Sequence, residues 1–130
     1  TFTLGRADYQ RQYEPILYGW KDGADHYWCG ARDQGDVWLF DKPHKNDLHP
    51  TMKPVALVER AIRNSSKSRD IVLDPFGGSG TTMIAAERTG RRARLLELDP
   101  RYCDVVVQRW QETTGGRASH AASGQGLEAA

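Results

Sequence analysis

Residues 71–82 read Ile-Val-Leu-Asp-Pro-Phe-Gly-Gly-Ser-Gly-Thr-Thr, and this stretch decides the fold. Its first three residues are apolar and two are β-branched, which predicts a short buried strand that Asp74 and Pro75 end. The glycines that follow allow a tight turn whose backbone can lie close to a ligand. Residues 81–89 are rich in alanine and predict a helix closed by Gly90. Strand, glycine turn and helix form the first half of a nucleotide-binding βαβ unit.

The second half of such a unit follows directly in the chain. Residues 94–98 predict the next strand, which carries Glu97 near its end. Glu97 lies about 20 residues after Gly78, the distance at which such folds place a carboxylate on ribose hydroxyls. Pro100 then opens a helix predicted over residues 101–112, since proline suits a first helical turn.

Two other nucleotide sites fit the glycine turn less well. A phosphate-binding loop needs a lysine after its last glycine, but Thr81 follows Gly80. A dinucleotide site usually has a third glycine where Thr82 and Met83 stand. Asp74 at the end of the strand would repel a phosphate and attract an ammonium group. The pattern therefore favours a nucleotide-like ligand with a cationic group.

At this point the sequence resembles a known family. The run Asp-Pro-Phe-Gly-Gly-Ser-Gly-Thr-Thr and the later Leu-Glu-Leu-Asp-Pro closely resemble the S-adenosylmethionine-binding motifs of amino-DNA methyltransferases, which modify adenine N6 or cytosine N4. His-Pro-Thr-Met-Lys-Pro at residues 49–54 resembles the segment that lines the methionine end of that cofactor. Tyr-Glu-Pro-Ile-Leu at residues 13–17 is similar to a late strand of the catalytic half. This order resembles the permuted class, in which the catalytic half precedes the cofactor half.

The resemblance implies S-adenosylmethionine as the methyl donor and assigns roles to individual residues. The implied contacts are Asp74 with the methionine ammonium group, Glu97 with the ribose, Thr51 and Lys53 with the methionine carboxylate, Phe76 and Leu98 as apolar walls, and Gly78, Ser79, Gly80 and Thr81 as the turn itself. No metal site is expected, because Cys29 and Cys103 lack ligand spacing.

One motif of the family is missing from this sequence. The family carries Asp, Asn or Ser followed by Pro-Pro and an aromatic residue, a loop that grips the flipped base. No Pro-Pro pair occurs here. We therefore assign no catalytic residue and expect this chain to be inactive alone, with DNA and either an upstream catalytic segment or a second copy of the chain as partners. The alternatives are a non-catalytic module that binds cofactor or DNA, or an enzyme that methylates RNA or protein.

The whole chain has 130 residues and a formal net charge of +1, so its overall charge gives no strong basic field of the kind that indicates nucleic-acid binding. We expect an α/β domain, Rossmann-like with a mainly parallel sheet, over residues 1–112 and a flexible tail over residues 113–130. The chain starts at Thr1 and is short for a complete methyltransferase, which indicates a piece of a longer enzyme. It shows no signal peptide or membrane span, so a cytoplasmic location is expected.

The first half of the chain carries weaker signals. Residues 13–20 predict an edge strand, residues 37–40 a further strand, and residues 55–64 an amphipathic helix. The aromatic residues between positions 21 and 48 lie beside basic ones. They could stack on unpaired bases as a short target-recognition segment. The alternative, which we favour, is a hydrophobic patch that pins a long loop to the sheet.

Overall fold

The computed structural model describes residues 6–41 and 52–126. Its helices and strands, in chain order, are α1 (Val55–Ser65), β1 (Ile71–Asp74), α2 (Thr81–Arg88), β2 (Arg92–Leu95) and α3 (Pro100–Thr114). The predicted α/β class and all three predicted helices are therefore confirmed, with ends that differ by at most two residues. Within the two described ranges, no helix is both long and apolar enough to cross a membrane.

The two strands pair in parallel and form the predicted βαβ unit. Ile71 lies opposite Arg92, and Asp74 lies opposite Leu95. The second strand was predicted at residues 94–98 but occupies Arg92–Leu95. The shift has a physical cause, because Pro75 has no N–H group and the first strand cannot extend the ladder past Asp74. As a result, Glu97 lies beyond the end of the second strand rather than within it.

Both predicted strands in the first part of the chain were wrong. Residues 13–20 and 37–40 are neither helix nor strand, although several of their side chains make contacts. A strand needs a neighbour for its backbone N–H and C=O groups. In the described part of the chain, the two strands that exist are hydrogen-bonded to each other, and neither residues 13–20 nor 37–40 are paired with them.

In its described part, the loop before α1 makes several contacts to that helix, while the expected hydrophobic patch on the sheet stays a prediction. Cys29 donates its backbone N–H to the carbonyl of Asn64 at 2.8 Å. The side-chain amides of Gln34 and Asn64 exchange two hydrogen bonds of 2.8 and 2.9 Å. The guanidinium of Arg60 lies over the Trp38 ring, 4.4 Å from its centroid. Polar and cation–π contacts to α1 therefore hold the part of the loop around residues 29–38.

The core lies on one face of the sheet. Ile62 of α1 packs with Ala85 and Ala86 of α2, and Val55, Val58, Val72 and Ala93 complete the cluster. Small alanine side chains let α2 approach the strands closely. Side chains alternate between the faces of a strand, so Ile71 and Leu73 point to the other face, where they are 56% and 63% exposed. No described element covers that face.

The C-terminal segment continues past its predicted helix end. The last helix reaches Thr114 and ends at Gly115, which has φ +71°. Ser119 and Gly126 then form an isolated antiparallel bridge. The flexibility of residues 113–130 stays a prediction.

Candidate functional site

The glycine turn between β1 and α2 has a closely determined backbone. Gly77 donates its N–H to the carbonyl of Leu96 at 2.8 Å, and Gly80 donates to the carbonyl of Gly77 at 2.9 Å. Gly78 and Gly80 have φ values of +52° and +80°, which favour glycine. A Cβ atom added to Gly80 would lie 2.9 Å from Val106. One added to Gly78 would meet nothing closer than 3.9 Å, so the space beside Gly78 is open.

Asp74 joins the end of β1 to the start of α2. Its Oδ1 accepts a hydrogen bond from the backbone N–H of Phe76 at 3.0 Å. Its Oδ2 accepts from the hydroxyl of Thr82 at 2.6 Å. The carboxylate therefore spans the glycine turn and holds its two ends together.

Glu97 holds the same turn from the second strand. Its Oε2 accepts from the N–H of Gly78 at 2.7 Å, and its Oε1 accepts from the N–H of Asp99 at 3.0 Å. These backbone hydrogen bonds, the one from Asp99 first, lower the pKa of Glu97. Each carboxylate oxygen has two lone pairs, so further acceptor capacity remains for a hydroxyl group. Glu97 is thus ionised and already fixed in place.

Arg109 on α3 also contacts the turn, and sequence reasoning missed it. Its Nη1 donates to the carbonyl oxygen of Ser79 at 2.5 Å and to the Ser79 hydroxyl at 3.2 Å. Burial lowers the pKa of Arg109, and the nearby Arg88 adds to the effect. Arg109 lies 30 residues after Ser79, inside a helix with no motif of its own, so no local signal pointed to it.

The expected apolar walls are placed at the same edge of the sheet but are open to solvent. Phe76 follows the end of β1 and is 86% exposed. Leu98 follows the end of β2 and is 97% exposed. Open α/β sheets bind their ligands at the carboxyl ends of the strands, and large exposed apolar side chains at that edge could contact such a ligand.

The expected methionine-carboxylate contacts are only partly described. Thr51 lies outside the described residues. Lys53 forms an ion pair with Glu14, a residue of the Tyr-Glu-Pro motif. Both side chains are more than half exposed, so the pair is weak and its ammonium can be shared with another anion. The carbonyl of Lys53 accepts a hydrogen bond from the Thr81 hydroxyl at 3.4 Å, which places Lys53 beside the start of α2.

The aromatic residues before α1 form two separate groups. In the first, Trp20 stacks on His26 with ring centroids 4.0 Å apart, and Tyr18 contacts Trp20, His26 and Trp28 edge-on. In the second, Trp38 meets Phe40 edge-on at 6.5 Å. The structure therefore adds Tyr18 and Trp20 to the aromatic set that the sequence singled out. Whether this segment recognises a target stays a prediction.

Comparison with known proteins gives one family match and several relatives. A family model described as DNA methylase matches residues 5–108. Type II methyltransferase M2.DpnII of Streptococcus pneumoniae is 46% identical over 110 residues, covering 74% of this chain and 41% of that protein. Type II methyltransferase M2.LlaDCHI of Lactococcus lactis subsp. cremoris is 38% identical over 83 residues, covering 61% of this chain and 31% of that protein.

Among solved structures, the M1.HpyAVI–SAM complex aligns with a TM-score of 0.60 and 29% identity. The alignment covers 68% of this chain and 45% of that protein. This chain spans less than half the length of each of these relatives.

Proposed function

Because the chain belongs to the DNA methylase family, we propose that it forms the cofactor-binding part of an S-adenosylmethionine-dependent enzyme that methylates an exocyclic amine of DNA. The observation that supports this proposal is that the carboxylates of Asp74 and Glu97 both accept hydrogen bonds from backbone N–H groups of the same glycine turn. Two carboxylates at the edge of a parallel sheet suit a ligand with one ammonium group and two ribose hydroxyls.

The donor set of the turn fits S-adenosylmethionine better than a phosphate-bearing cofactor. Asp74 and Glu97 are acceptors only, which matches ammonium and hydroxyl donors and opposes a pyrophosphate. The open space beside Gly78 leaves room for a ligand against the backbone. We assign cofactor contacts to Thr51, Lys53, Asp74, Phe76, Gly78, Ser79, Gly80, Thr81, Glu97 and Leu98. The bound cofactor supplies a methyl group on a positively charged sulfur.

For the reaction itself, this chain contributes binding and orientation. Asp74 would orient the methionine end and Glu97 the ribose, so that the methyl group is presented in a constant direction. The sequence has no Pro-Pro pair to grip a flipped base. We therefore propose that DNA methylation requires an upstream catalytic segment or a second copy of the chain. An enzyme that acts on DNA works inside the cell, and the type II relatives favour a restriction–modification role.

The proposed target is the N6 amine of adenine, with the N4 amine of cytosine as the alternative. Digestion of the methylated product to nucleosides would separate the two. A non-catalytic module that binds cofactor without turnover is the second candidate function. The absence of the Pro-Pro motif from the sequence favours that candidate for the chain in isolation.

The direct test is equilibrium binding of S-adenosylmethionine to the 130-residue chain by calorimetry, with ATP and NAD as controls. We expect S-adenosylmethionine to bind and both phosphate-bearing nucleotides to fail. Binding of NAD or ATP in preference would contradict the assignment of the turn.

A further inference from the structure

Two side chains of α3 reach the glycine turn from one helical face. Val106 and Arg109 are three residues apart and therefore lie on the same side of the helix. Val106 fills the space that a side chain at position 80 would need. Arg109 donates to both the carbonyl and the hydroxyl of Ser79. The third helix thus contacts the turn at two adjacent residues.

The hydrogen bond to the Ser79 carbonyl has a specific consequence for the backbone. The peptide between Ser79 and Gly80 is planar, so a fixed carbonyl oxygen also fixes the direction of the Gly80 N–H. That N–H donates to the carbonyl of Gly77 and closes the turn. Rotation of this peptide would break both hydrogen bonds. Arg109 therefore acts on the conformation of the turn through a single peptide plane.

Removing the charged side chain of Arg109 from water costs free energy, and a role in fixing the glycine turn would explain why the residue is there. Ser79 is buried, and Arg109 itself is half-buried. In the described part of the chain, the hydrogen-bond acceptors of its side chain both belong to Ser79. Glu112, one turn further along α3, adds a favourable charge interaction. The hydrogen bonds of the desolvated guanidinium nevertheless go to neutral oxygens, which offset less of its lost solvation than a hydrogen-bonded carboxylate would.

We propose that Arg109 is a positioning residue for the cofactor turn, which it holds in the binding conformation by fixing the Ser79–Gly80 peptide. The expected effect on S-adenosylmethionine affinity rests on the proposed function, whereas the effect on the conformation of the turn does not. It predicts that the guanidinium, rather than the bulk of the side chain, sets how well the turn is ordered. It also predicts that a better ordered turn binds the cofactor more tightly.

The test compares Arg109→Met and Arg109→Lys with the wild-type 130-residue chain. Arg109→Met keeps a long apolar stem and removes the donor, and Arg109→Lys keeps the charge with a single ammonium. We expect Arg109→Met to weaken S-adenosylmethionine binding about tenfold in calorimetry. Arg109→Lys should recover part of that loss. A third variant, Arg109→Ala, leaves space for a free guanidinium. Millimolar methylguanidine should therefore restore S-adenosylmethionine binding to Arg109→Ala and leave binding by wild type unchanged.

A second measurement needs no ligand. Hydrogen exchange of the amides at residues 77–82 should be faster in Arg109→Met than in wild type, while exchange across α1 stays the same. Arg117→Met is the matched control, because Arg117 is exposed and lies outside the helix. Unchanged exchange in the turn would overturn the role of Arg109, as would equal affinity in Arg109→Met and wild type. A wild-type chain that binds no S-adenosylmethionine would overturn the proposed function instead, and the exchange measurement would still decide the role of Arg109.

Discussion

The carboxylate of Glu97 accepts a hydrogen bond from the backbone N–H of Gly78 at 2.7 Å. Glu97 follows the second strand and Gly78 follows the first, so this bond ties together the loops beyond the two neighbouring strands. A residue whose motif implies contact with a ribose is therefore also a part of the scaffold. The same side chain would serve two roles, and substitutions at Glu97 should separate them.

Two substitutions at Glu97 should weaken cofactor binding to different extents. Glu97→Gln keeps an oxygen for one hydrogen bond and loses the charge, whereas Glu97→Ala loses both. We expect Glu97→Ala to lower the binding free energy of S-adenosylmethionine by about 1.5–3 kcal/mol in calorimetry, and Glu97→Gln by less. Asp104→Ala, an exposed change on α3, is the control. Unchanged affinity in Glu97→Ala, with an unchanged circular dichroism spectrum, would remove Glu97 from the site.

The glycines of the turn should respond differently to alanine. Gly80→Ala forces a side chain against Val106 and into a left-handed conformation, so the free energy of unfolding should fall by at least about 1–2 kcal/mol. Gly78→Ala meets open space and should cost stability mainly through its φ of +52°, yet it should obstruct the ligand. Gly35→Ala, with open space around it, is the control. Denaturant melts and calorimetry together report both effects, and equal tolerance at all three positions would contradict the turn geometry.

Acid should destabilise the chain partly through Glu97. Its pKa is lowered in the folded state by hydrogen bonds from the N–H groups of Asp99 and Gly78. A group whose folded pKa is depressed stabilises the fold at a pH above its unfolded pKa, about 4.3 for glutamate, and this contribution is lost as the pH falls through the folded value. Glu97→Gln should therefore show a shallower loss of stability than wild type below about pH 4.3.

The measurement for this prediction is the midpoint of urea unfolding at a series of pH values from neutral to acid. Asp99 also has a lowered pKa, chiefly because of the side chain of Arg101, so Asp99→Asn should be measured beside Glu97→Gln. Parallel curves for wild type and Glu97→Gln would show that Glu97 gains nothing from its backbone donors.

The 130-residue chain should bind cofactor without methylating DNA. Correct placement of reactants contributes about 7–11 kcal/mol to such reactions, and no Pro-Pro loop is present in the sequence to place the base. Transfer of tritiated methyl groups to mixed-sequence DNA should stay at background for the chain alone. Robust incorporation at one site would show that another segment of this chain grips the base.

The βαβ unit was predictable because its signals are local. Strand, turn and helix each depend on neighbouring residues such as Asp74 and Gly80, and the family motif adds the spacing to Glu97. The hydrogen bond from Arg109 to Ser79 was not predictable, since it depends on how α3 packs across the turn. The strand expected at residues 13–20 failed for a related reason. Apolar residues such as Ile16 and Leu17 favour a strand locally, but a strand exists only beside a partner.

The face of the sheet that carries Ile71 and Leu73 has a practical consequence for anyone who handles this chain. Arg92 and Arg94 lie opposite Ile71 and Leu73 on this face, which no helix covers in the described part of the chain. A two-stranded sheet is marginally stable by itself, and the outer edges of its strands can pair with other strands. Purified chains should therefore self-associate as concentration rises, through the same surface in every copy. Dynamic light scattering over a dilution series would reveal this, and Leu73→Lys should raise the concentration at which precipitation begins.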